Sequence, residues 1–354
     1  MQFSRFDAVI VGHGLAGATL AWTLRLRGQR VLVIDPSRPS TASRIAAGLV
    51  TPLSGPKLVP SWGWEQAWPI AQQFYREIEE RTGIPLLRPR PAVRLFPSSE
   101  ALQQAKGRVD ELQGDLLPTA PDPGVNPNWF SHAEHAIEQP AAAQLDVSEY
   151  LNASRQLLKA EQCWIDGEFE SGHDLILEQE RVTLPRWNVE TNRVVFCQGY
   201  VADHPWFGRV KFNPAQGQML TIRAPELRER RVVHDGLWLV QENESRHYRV
   251  GATFEWDRLD GVPTEKGREH LLQRLRQMIR VPFEVIDQFA AVRPTMHDFR
   301  PVIGTHPTEP RFAILNGLGT KGSLWGPWMA KLLADHLLDA QPIPSELEVA
   351  RWFR

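Results

Sequence analysis

The sequence predicts an α/β fold in which a parallel-sheet domain is interrupted by an inserted domain built on an antiparallel sheet (α+β). Residues 7–35 contain a strand, a glycine loop, a helix and a second strand in close succession. Residues 214–252 contain short alternating strands, and residues 312–338 repeat the order of strand, glycine loop and helix. A chain of 354 residues also exceeds one typical hydrophobic core, so we expect two domains.

The first segment has the pattern of a βαβ unit. Asp7–Val11 is almost continuously apolar, as expected for a parallel strand that is buried on both faces. Apolar residues recur at helical spacing up to Arg27, and Gly28 is placed to end the helix. A second apolar strand follows at Val31–Ile34 and ends in Asp35.

The loop of this unit carries the pattern Gly12-x-Gly14-x-x-Gly17. The first glycine permits a tight turn, the second lets the backbone approach a pyrophosphate, and the third lets helix and strand pack closely. Asp35 at the end of the second strand suits a ribose hydroxyl and disfavours a 2′-phosphate. The pattern predicts a Rossmann-like site for an adenine dinucleotide other than NADP; the alternative is a tight turn without a ligand.

The rest of the chain supplies the other elements. The small-residue stretch Arg44–Val50 can pass close to a bound ligand before Thr51–Pro52 ends it. Helices are predicted at residues 65–82, 146–158, 265–279 and from about 325 to 338, strands at 93–96, 193–196, 232–240 and 247–252, and a loop at 118–128.

Composition limits the class of protein. The formal net charge of -2 gives no global attraction for nucleic acid. Cys163 and Cys197 cannot form a disulfide framework, and His132-x-x-His135 lacks the other ligands of a zinc helix, so we expect a reducing compartment and no metal. We expect no targeting segment before the first strand and no spanning helix, since the apolar runs are far shorter than the ~20 residues a bilayer requires. The predicted location is the cytoplasm.

Several further motifs occur in a fixed order along the chain. They are Thr41–Pro52, Phe196–Gly199, Pro214–Met219, Arg293–Pro294 with Asp298 downstream, and the glycine loop Asn316–Ser323. With the βαβ unit, they resemble the FAD-dependent D-amino-acid oxidase superfamily over nearly the full length, close to glycine oxidases and sarcosine-oxidase-like enzymes. The resemblance implies a Rossmann-like FAD-binding domain of residues 1–87, 145–208 and 292–354, with residues 88–144 and 209–291 as the substrate domain.

The resemblance also implies a set of cofactor contacts. Together with the βαβ unit, these are Gly12, Gly14, Leu15, Ala16, Gly17, Asp35, Pro36, Ser43, Arg44, Ala47, Gly48, Leu49, Gly199, Gly319, Thr320, Lys321, Gly322 and Ser323. The neighbourhood of Arg293 has no cysteine of the kind that tethers flavin in the sarcosine-oxidase branch. The resemblance therefore implies noncovalent FAD.

Three residues are candidates for catalytic roles. Arg293 stands where the family has the arginine that grips the substrate carboxylate; the alternative is a structural salt bridge. Lys321 and the dipole of the helix after it could stabilise negative charge on reduced flavin, unless Lys321 is a solvated loop residue. The hydroxyl of Tyr248 could help to hold the substrate, with core packing as the alternative.

The resemblance implies oxidation of the C–N bond of a small amino acid or secondary amine by hydride transfer to flavin N5, with oxygen or a quinone as electron acceptor. The last glycine loop is also similar to that of the FAD oxidase domain of the bifunctional tRNA wobble-uridine-modifying protein. The runner-up substrate is therefore a carboxymethylaminomethyl group on tRNA, which would require a basic entrance surface. A flavin-binding protein without turnover is the third hypothesis.

Overall fold

The computed structural model describes residues 3–55, 57–111, 123–242 and 246–354. Residues 118–122 of the predicted loop 118–128 lie outside these ranges. Within them, the chain forms six α-helices: α1 (Leu15–Leu26), α2 (Trp64–Thr82), α3 (Ser99–Glu111), α4 (Val147–Ala160), α5 (Glu265–Met278) and α6 (Gly322–Asp339). Short 3-10 helices occur at Pro185–Trp187 and Val349–Trp352.

The strands of the described ranges are numbered in chain order. They are β1 (Ser4–Phe6), β2 (Ala8–Val11), β3 (Val31–Asp35), β4 (Leu49–Val50), β5 (Leu53–Ser54), β6 (Val59–Pro60), β7 (Leu87–Pro89), β8 (Ala92–Leu95), β9 (Ala136–Gln139), β10 (Ala143–Leu145), β11 (Trp164–Asp166), β12 (Ile176–Leu177), β13 (Val182–Leu184), β14 (Val189–Thr191), β15 (Val194–Phe196), β16 (Ala215–Arg223), β17 (Val232–Asp235), β18 (Leu237–Gln241), β19 (His247–Gly251), β20 (Glu284–Arg293), β21 (Val302–His306) and β22 (Glu309–Asn316).

A six-stranded sheet joins the two ends of the chain to its middle. Its order is β11-β3-β2-β15-β22-β21, and every pairing is parallel except that of β21 with β22. The strand β2 is fully buried, as its apolar sequence predicts. The helices α1 and α6 pack closely at Gly326. A Cβ added there would lie only 3.2 Å from Cγ2 of Thr19. The fold is therefore the mixed α/β fold that the sequence predicts.

The glycine loop has the geometry that its residues require. Gly12 has φ +97°, and a Cβ there would lie 2.7 Å from the carbonyl oxygen of Cys197. A Cβ at Gly17 would lie 1.9 Å from the carbonyl oxygen of Gly12. A side chain at Gly12 would therefore push the loop away from the end of β15, and one at Gly17 would push α1 away from the loop.

A seven-stranded sheet, in the order β20-β16-β19-β18-β17-β8-β9, forms the second layer. All of its pairings are antiparallel except β17 with β8, which lie far apart in the sequence. The single strand predicted for residues 232–240 is wrong: this segment is a hairpin, because Gly236 with φ +69° turns the chain between β17 and β18.

One face of the seven-stranded sheet is covered by α5. Leu271 and Leu275 of this helix share a buried cluster with Leu220, Ile222 and Tyr248 of the sheet. The opposite face borders the cavity described below. Three smaller sheets, β1-β14-β13-β12, β4-β10-β7 and β5-β6, complete the architecture.

The described ranges contain neither a membrane-spanning helix nor a metal-binding cluster. None of their helices is long and apolar enough to cross a bilayer. Their His, Cys, Asp and Glu side chains form no group of three or more that could hold a metal ion.

Candidate active site

A cavity of about 700 Å³ lies between the glycine loop of the six-stranded sheet and the open face of the seven-stranded sheet. Most of the sequence-predicted site residues line it, although they come from distant parts of the chain. These are Gly12, Gly14, Leu15, Ala16, Asp35, Ser43, Arg44, Ala47, Gly48, Leu49, Gly199, Arg293, Gly319, Thr320, Lys321, Gly322 and Ser323.

The glycine loop and Ser43 meet at the start of α1. The backbone N–H of Leu15 donates a 2.9 Å hydrogen bond to Oγ of Ser43. A Cβ added at Gly14 would lie 2.8 Å from the same oxygen, so only glycine lets the two segments come this close. The positive end of the α1 dipole also lies at this point, and it favours the negative charge of a pyrophosphate.

The carboxylate of Asp35 is fixed at the end of β3. Its two oxygens accept 2.7 Å hydrogen bonds from the backbone N–H groups of His13 and Ser37. A carboxylate held by two backbone donors retains lone pairs for a ribose diol. This geometry agrees with the expected preference for a 2′-hydroxyl over a 2′-phosphate.

His13 is a cavity residue that the sequence analysis missed. Its side chain is buried, and neither ring nitrogen has a hydrogen-bond partner among the described residues. Burial, with Arg44 and Arg155 nearby, lowers its pKa to about 3, so the ring is neutral at physiological pH. His13 lies between Gly12 and Gly14 of the glycine motif, and its place in the cavity lining could have been inferred from that position. Two unsatisfied ring nitrogens are consistent with a polar ligand at this end of the cavity.

Residues of the small-residue stretch Arg44–Val50, predicted to pass close to a ligand, line the cavity from Arg44 to Leu49. Gly48 has φ +70°, and a Cβ there would lie 1.9 Å from the carbonyl oxygen of Leu145. Arg249 of β19 donates to the carbonyl oxygen of Ile45 at 3.0 Å. The segment is therefore held against the seven-stranded sheet while its residues line the cavity.

Arg293 ends β20 and reaches into the cavity. Its Nη1 donates to the carbonyl oxygen of Thr253 at 3.2 Å, and its Cζ lies 4.4 Å from the ring centroid of Phe254. The guanidinium covers Gly217, where an added Cβ would lie 2.0 Å from Nη2. Among the described residues no carboxylate pairs with it, and burial lowers its pKa to about 10. It is therefore a charged, positioned arginine with donors to spare, not half of a salt bridge.

Lys321 is held by hydroxyl groups. Its Nζ donates to Oγ of Ser54 at 2.5 Å, to Oγ of Ser61 at 3.0 Å and to Oγ1 of Thr51 at 3.5 Å. Burial, and secondarily the charge of Arg94, lowers its pKa to about 8. These three hydroxyl contacts argue against the alternative of a solvated lysine.

The helix α6 begins at Gly322, about one turn before the predicted start near Trp325. Lys321 is its N-cap residue and makes no side-chain cap hydrogen bond. Gly322 and Ser323 of the first turn line the cavity, so the positive end of the helix dipole lies at this wall.

The prediction for Tyr248 needs correction. Its ring is fully buried in the cluster beneath α5, and its hydroxyl donates to the carbonyl oxygen of Leu227 at 3.0 Å. Gly251, three residues later on the same strand, lines the cavity, and residues at odd spacing on a strand point to opposite faces. Tyr248 is therefore a core residue. Gly17 and Pro36 also lie outside the cavity lining, although Gly17 has the packing role that the glycine pattern predicts.

Arg94 of β8 and His234 of β17 are further cavity residues that the sequence analysis missed. The two are paired in register, although 140 residues of chain separate them. The alternation of side chains within each strand could have predicted which residues share a face. No local sequence signal shows that the two strands are neighbours in the sheet.

The cavity therefore suits FAD on observations that are independent of one another. The close contacts that only glycine permits at Gly12 and Gly14 indicate the position of a pyrophosphate. The Asp35 carboxylate, held by backbone N–H groups, indicates the position of a ribose. Cationic groups and the N-terminus of α6 lie at another wall of the cavity.

Comparisons with known proteins agree with this geometry. The chain is 25% identical to the tRNA 5-methylaminomethyl-2-thiouridine biosynthesis bifunctional protein MnmC of Idiomarina loihiensis over 95% of this chain, which spans only 56% of that protein. It is 24% identical to the glycine oxidase of Bacillus licheniformis, with 97% of this chain and 95% of that protein covered.

A solved structure with a similar fold is the glycine oxidase of Bacillus cereus, with a TM-score of 0.79, 18% identity, and coverage of 95% of this chain and 96% of that one. A family model for FAD-dependent oxidoreductases matches residues 7–336. The chain therefore belongs to the DAO family of FAD-dependent oxidoreductases.

Proposed function

We propose that this FAD-dependent oxidoreductase oxidises the C–N bond of a small amino acid or secondary amine that carries a carboxylate. The observation that carries the proposal is the arrangement of Arg293, which is partly buried against Phe254, charged, and without a carboxylate partner in the described part of the chain. Burying a cation without a counter-charge is unfavourable unless a ligand supplies that charge. A substrate carboxylate would supply it with two parallel hydrogen bonds.

The proposed cofactor contacts divide into three groups. The loop of Gly12 and Gly14, with the start of α1, would hold the pyrophosphate, and Asp35 would accept hydrogen bonds from the ribose. The stretch from Ser43 to Leu49 and the loop Gly319–Ser323 would line the flavin. The fit rests on packing and hydrogen bonds, so the proposed binding is noncovalent.

When bound, FAD supplies the hydride acceptor, N5, for the carbon that bears the substrate nitrogen. The chain's own contribution is orientation and charge. Arg293 would fix the carboxylate, so that the rest of a small substrate has few orientations left. Lys321 and the N-terminus of α6 would place positive charge at the opposite wall, where it would favour an anionic reduced cofactor.

Some broader features belong to the same proposal. Residues 1–87, 145–208 and 292–354 would form the FAD-binding domain, and residues 88–144 and 209–291 the substrate domain. A cytoplasmic location is supported by two buried cysteines that are not joined in a disulfide. The electron acceptor would be oxygen or a quinone.

A second candidate substrate is the carboxymethylaminomethyl group of a tRNA wobble uridine. The observation that favours it is an exposed pair of stacked rings beside Arg293: Phe254 and Trp256 are 51% and 55% exposed, with ring centroids 6.3 Å apart. Exposed aromatic rings can stack on an unpaired nucleobase. The relative MnmC, named for 5-methylaminomethyl-2-thiouridine biosynthesis, supports the same candidate.

The test is anaerobic reduction of the purified yellow protein. Glycine, sarcosine, proline and a panel of D-amino acids should include at least one compound that bleaches the flavin absorbance within seconds to minutes. Bleaching by tRNA bearing the modified uridine, with no response to the small molecules, would move the assignment to the second candidate. A colourless protein that cannot be reconstituted with FAD would overturn both.

A further inference from the structure

The cavity-facing side of the seven-stranded sheet carries one continuous row of residues. The register places them side by side across neighbouring strands: Phe289, Met219, Gly251, Trp238, His234 and Arg94. Arg293, by contrast, covers Gly217 at the other end of the sheet. Each end of the cavity face therefore carries a cationic side chain, Arg94 buried at one end and Arg293 partly buried at the other.

Arg94 lacks the partners that a buried arginine usually has. The residue is only 9% exposed, and its Nε is buried with no hydrogen-bond partner in the described ranges. The nearby acid is Asp235, but its carboxylate hydrogen-bonds Nδ1 of His132 at 2.7 Å and makes no hydrogen bond to Arg94. The guanidinium therefore faces the cavity with unused donors.

His234 and Lys321 extend this unsatisfied group. The Nε2 of His234 is buried and has no partner within the described residues. Burial, and secondarily the charges of Arg94 and Lys321, lowers the pKa of His234, and burial, with the charge of Arg94, lowers the pKa of Lys321. Among the described residues, the hydrogen-bond partners of the Lys321 ammonium group are hydroxyls. Two cations and a neutral imidazole thus lie together, and no acid within the described ranges hydrogen-bonds them. Such a group is costly to bury and is best satisfied by an anion.

The distance between the two ends limits what this anion can belong to. Four strand spacings separate β16, where the Arg293 guanidinium lies, from β8, which carries Arg94. At about 4.8 Å per spacing, the two strands are on the order of 19 Å apart along the sheet. The distance between the two guanidinium groups is shorter, because the Arg94 side chain extends into the cavity. A single carboxylate cannot contact both arginines, whereas one ligand with an acid group at each end can.

We propose that Arg94 and His234 form a second anion-binding subsite, which takes a carboxylate on the nitrogen substituent of the substrate. The substrate class is then an N-(carboxyalkyl) amino acid: one carboxylate on Arg293, the second on Arg94, and the oxidised C–N bond between them. This inference rests on the proposed function, because it assigns the first carboxylate to Arg293.

The test measures ligand binding to the resting FAD-loaded enzyme. Straight-chain α,ω-dicarboxylates of four to twelve carbons are titrated beside monocarboxylates of the same chain length, and the flavin difference spectrum gives each Kd. We expect at least one dicarboxylate to bind roughly 10-fold or more tightly than its matched monocarboxylate, because an added charge-assisted hydrogen bond is of that strength. If no dicarboxylate exceeds its monocarboxylate, the proposal is overturned.

Variants locate the effect. Arg94→Met should abolish the preference for dicarboxylates and leave the monocarboxylate Kd nearly unchanged, and Arg94→Lys should retain part of it. Arg223→Met removes a half-exposed arginine of the same sheet, outside the cavity, and should change neither Kd. Equal weakening of both ligand types by Arg94→Met would overturn the subsite, and so would loss of FAD, which would make Arg94 a flavin contact. If Arg94→Met does not fold, the proposal is tested by the dicarboxylate preference of the wild type and by its partial loss in Arg94→Lys.

The same measurements separate this inference from the proposed function. Binding to the resting enzyme needs no turnover, and the melting temperature of the protein with each ligand gives a second readout. If small amines bleach the flavin but dicarboxylates show no preference, only the second subsite fails. If no amine bleaches the flavin, the proposed function fails whatever the dicarboxylates do.

Discussion

The guanidinium of Arg293 lies on the ring of Phe254, with its Cζ 4.4 Å from the ring centroid. A cation over an aromatic face is attracted to it, and the ring also shields one side of the guanidinium from water. The remaining donors are directed by the hydrogen bond to the carbonyl oxygen of Thr253. The arginine is therefore oriented before any substrate arrives.

The first prediction concerns this arginine. Arg293→Lys keeps the charge but removes the planar fork, so kcat/KM for carboxylate substrates should fall by about 100-fold or more. Amines that lack a carboxylate should change by less than about 3-fold, because they do not use the fork. Steady-state kinetics with a matched pair, such as sarcosine and an N-methylamine, checks this. Equal losses for both would mean that Arg293 supports the fold rather than the carboxylate.

A second prediction uses the strand beneath the arginine. Gly217→Ala places a methyl group 2.0 Å from the present position of Nη2 of Arg293, so the guanidinium must move. KM for carboxylate substrates should rise by roughly 10-fold or more, since a displaced clamp loses alignment. Gly107→Ala is the matched control, because a Cβ there meets nothing within 4 Å and Gly107 lies in α3. It should leave KM unchanged and slightly stabilise the protein.

The third prediction tests the ribose position. Asp35→Asn replaces an oxygen that accepts a backbone N–H by a donor, and it removes the charge on the ribose side. The Kd of FAD, measured by titrating apoprotein, should rise by roughly 10- to 100-fold. Asp166→Asn is the control, because Asp166 pairs with Asp35 in register but bonds Lys159 and Ser37 away from the cavity. A Kd that Asp35→Asn leaves unchanged would remove Asp35 from the cofactor site.

The fourth prediction concerns the pH dependence of apoprotein stability. Burial lowers the pKa of Lys321 from 10.5 to about 8, so between these two pH values the unfolded state binds the proton and the folded state does not. The free energy of unfolding of the wild type, relative to Lys321→Met, should therefore rise from pH 8 to pH 10.5 by at most about 3 kcal/mol. Denaturant titrations of both proteins measure this difference.

The control for this prediction is Lys331→Met. Lys331 lies on the same helix, is 55% exposed, and pairs with Asp335. The stability difference that its substitution causes is measured over the same pH range. A Lys321→Met difference that rises no more than that of Lys331→Met would show that the Lys321 ammonium group is solvated.

The dinucleotide-binding part of the site could be predicted because its sequence signals are local. The three glycines and Asp35 lie within one βαβ unit, so chain geometry alone brings them together. Arg293 and the loop Gly319–Ser323 could be placed only by resemblance to a family, since nothing in their own neighbourhood shows which cavity they border.

The face of a strand was harder to predict than its position. Tyr248 was expected in the site, but the sheet turns it toward α5, because the side-chain period of two allows only one face to meet the cavity. The hairpin at Gly236 was missed although Asp235-Gly236 is a typical turn pair, because the alternation of apolar residues continues on both sides of the turn.

By itself, the sequence determined the dinucleotide-binding βαβ unit and the α/β class, because both follow from residue types at short, fixed spacing. Only the tertiary structure decided that Arg94, His234 and Lys321 meet at one wall of the cavity. Their meeting depends on the parallel pairing of β8 with β17 and on the approach of α6, which are contacts between segments far apart in the chain. Electrostatic relations between side chains arise from such long-range packing, so they appear only when the whole chain has folded.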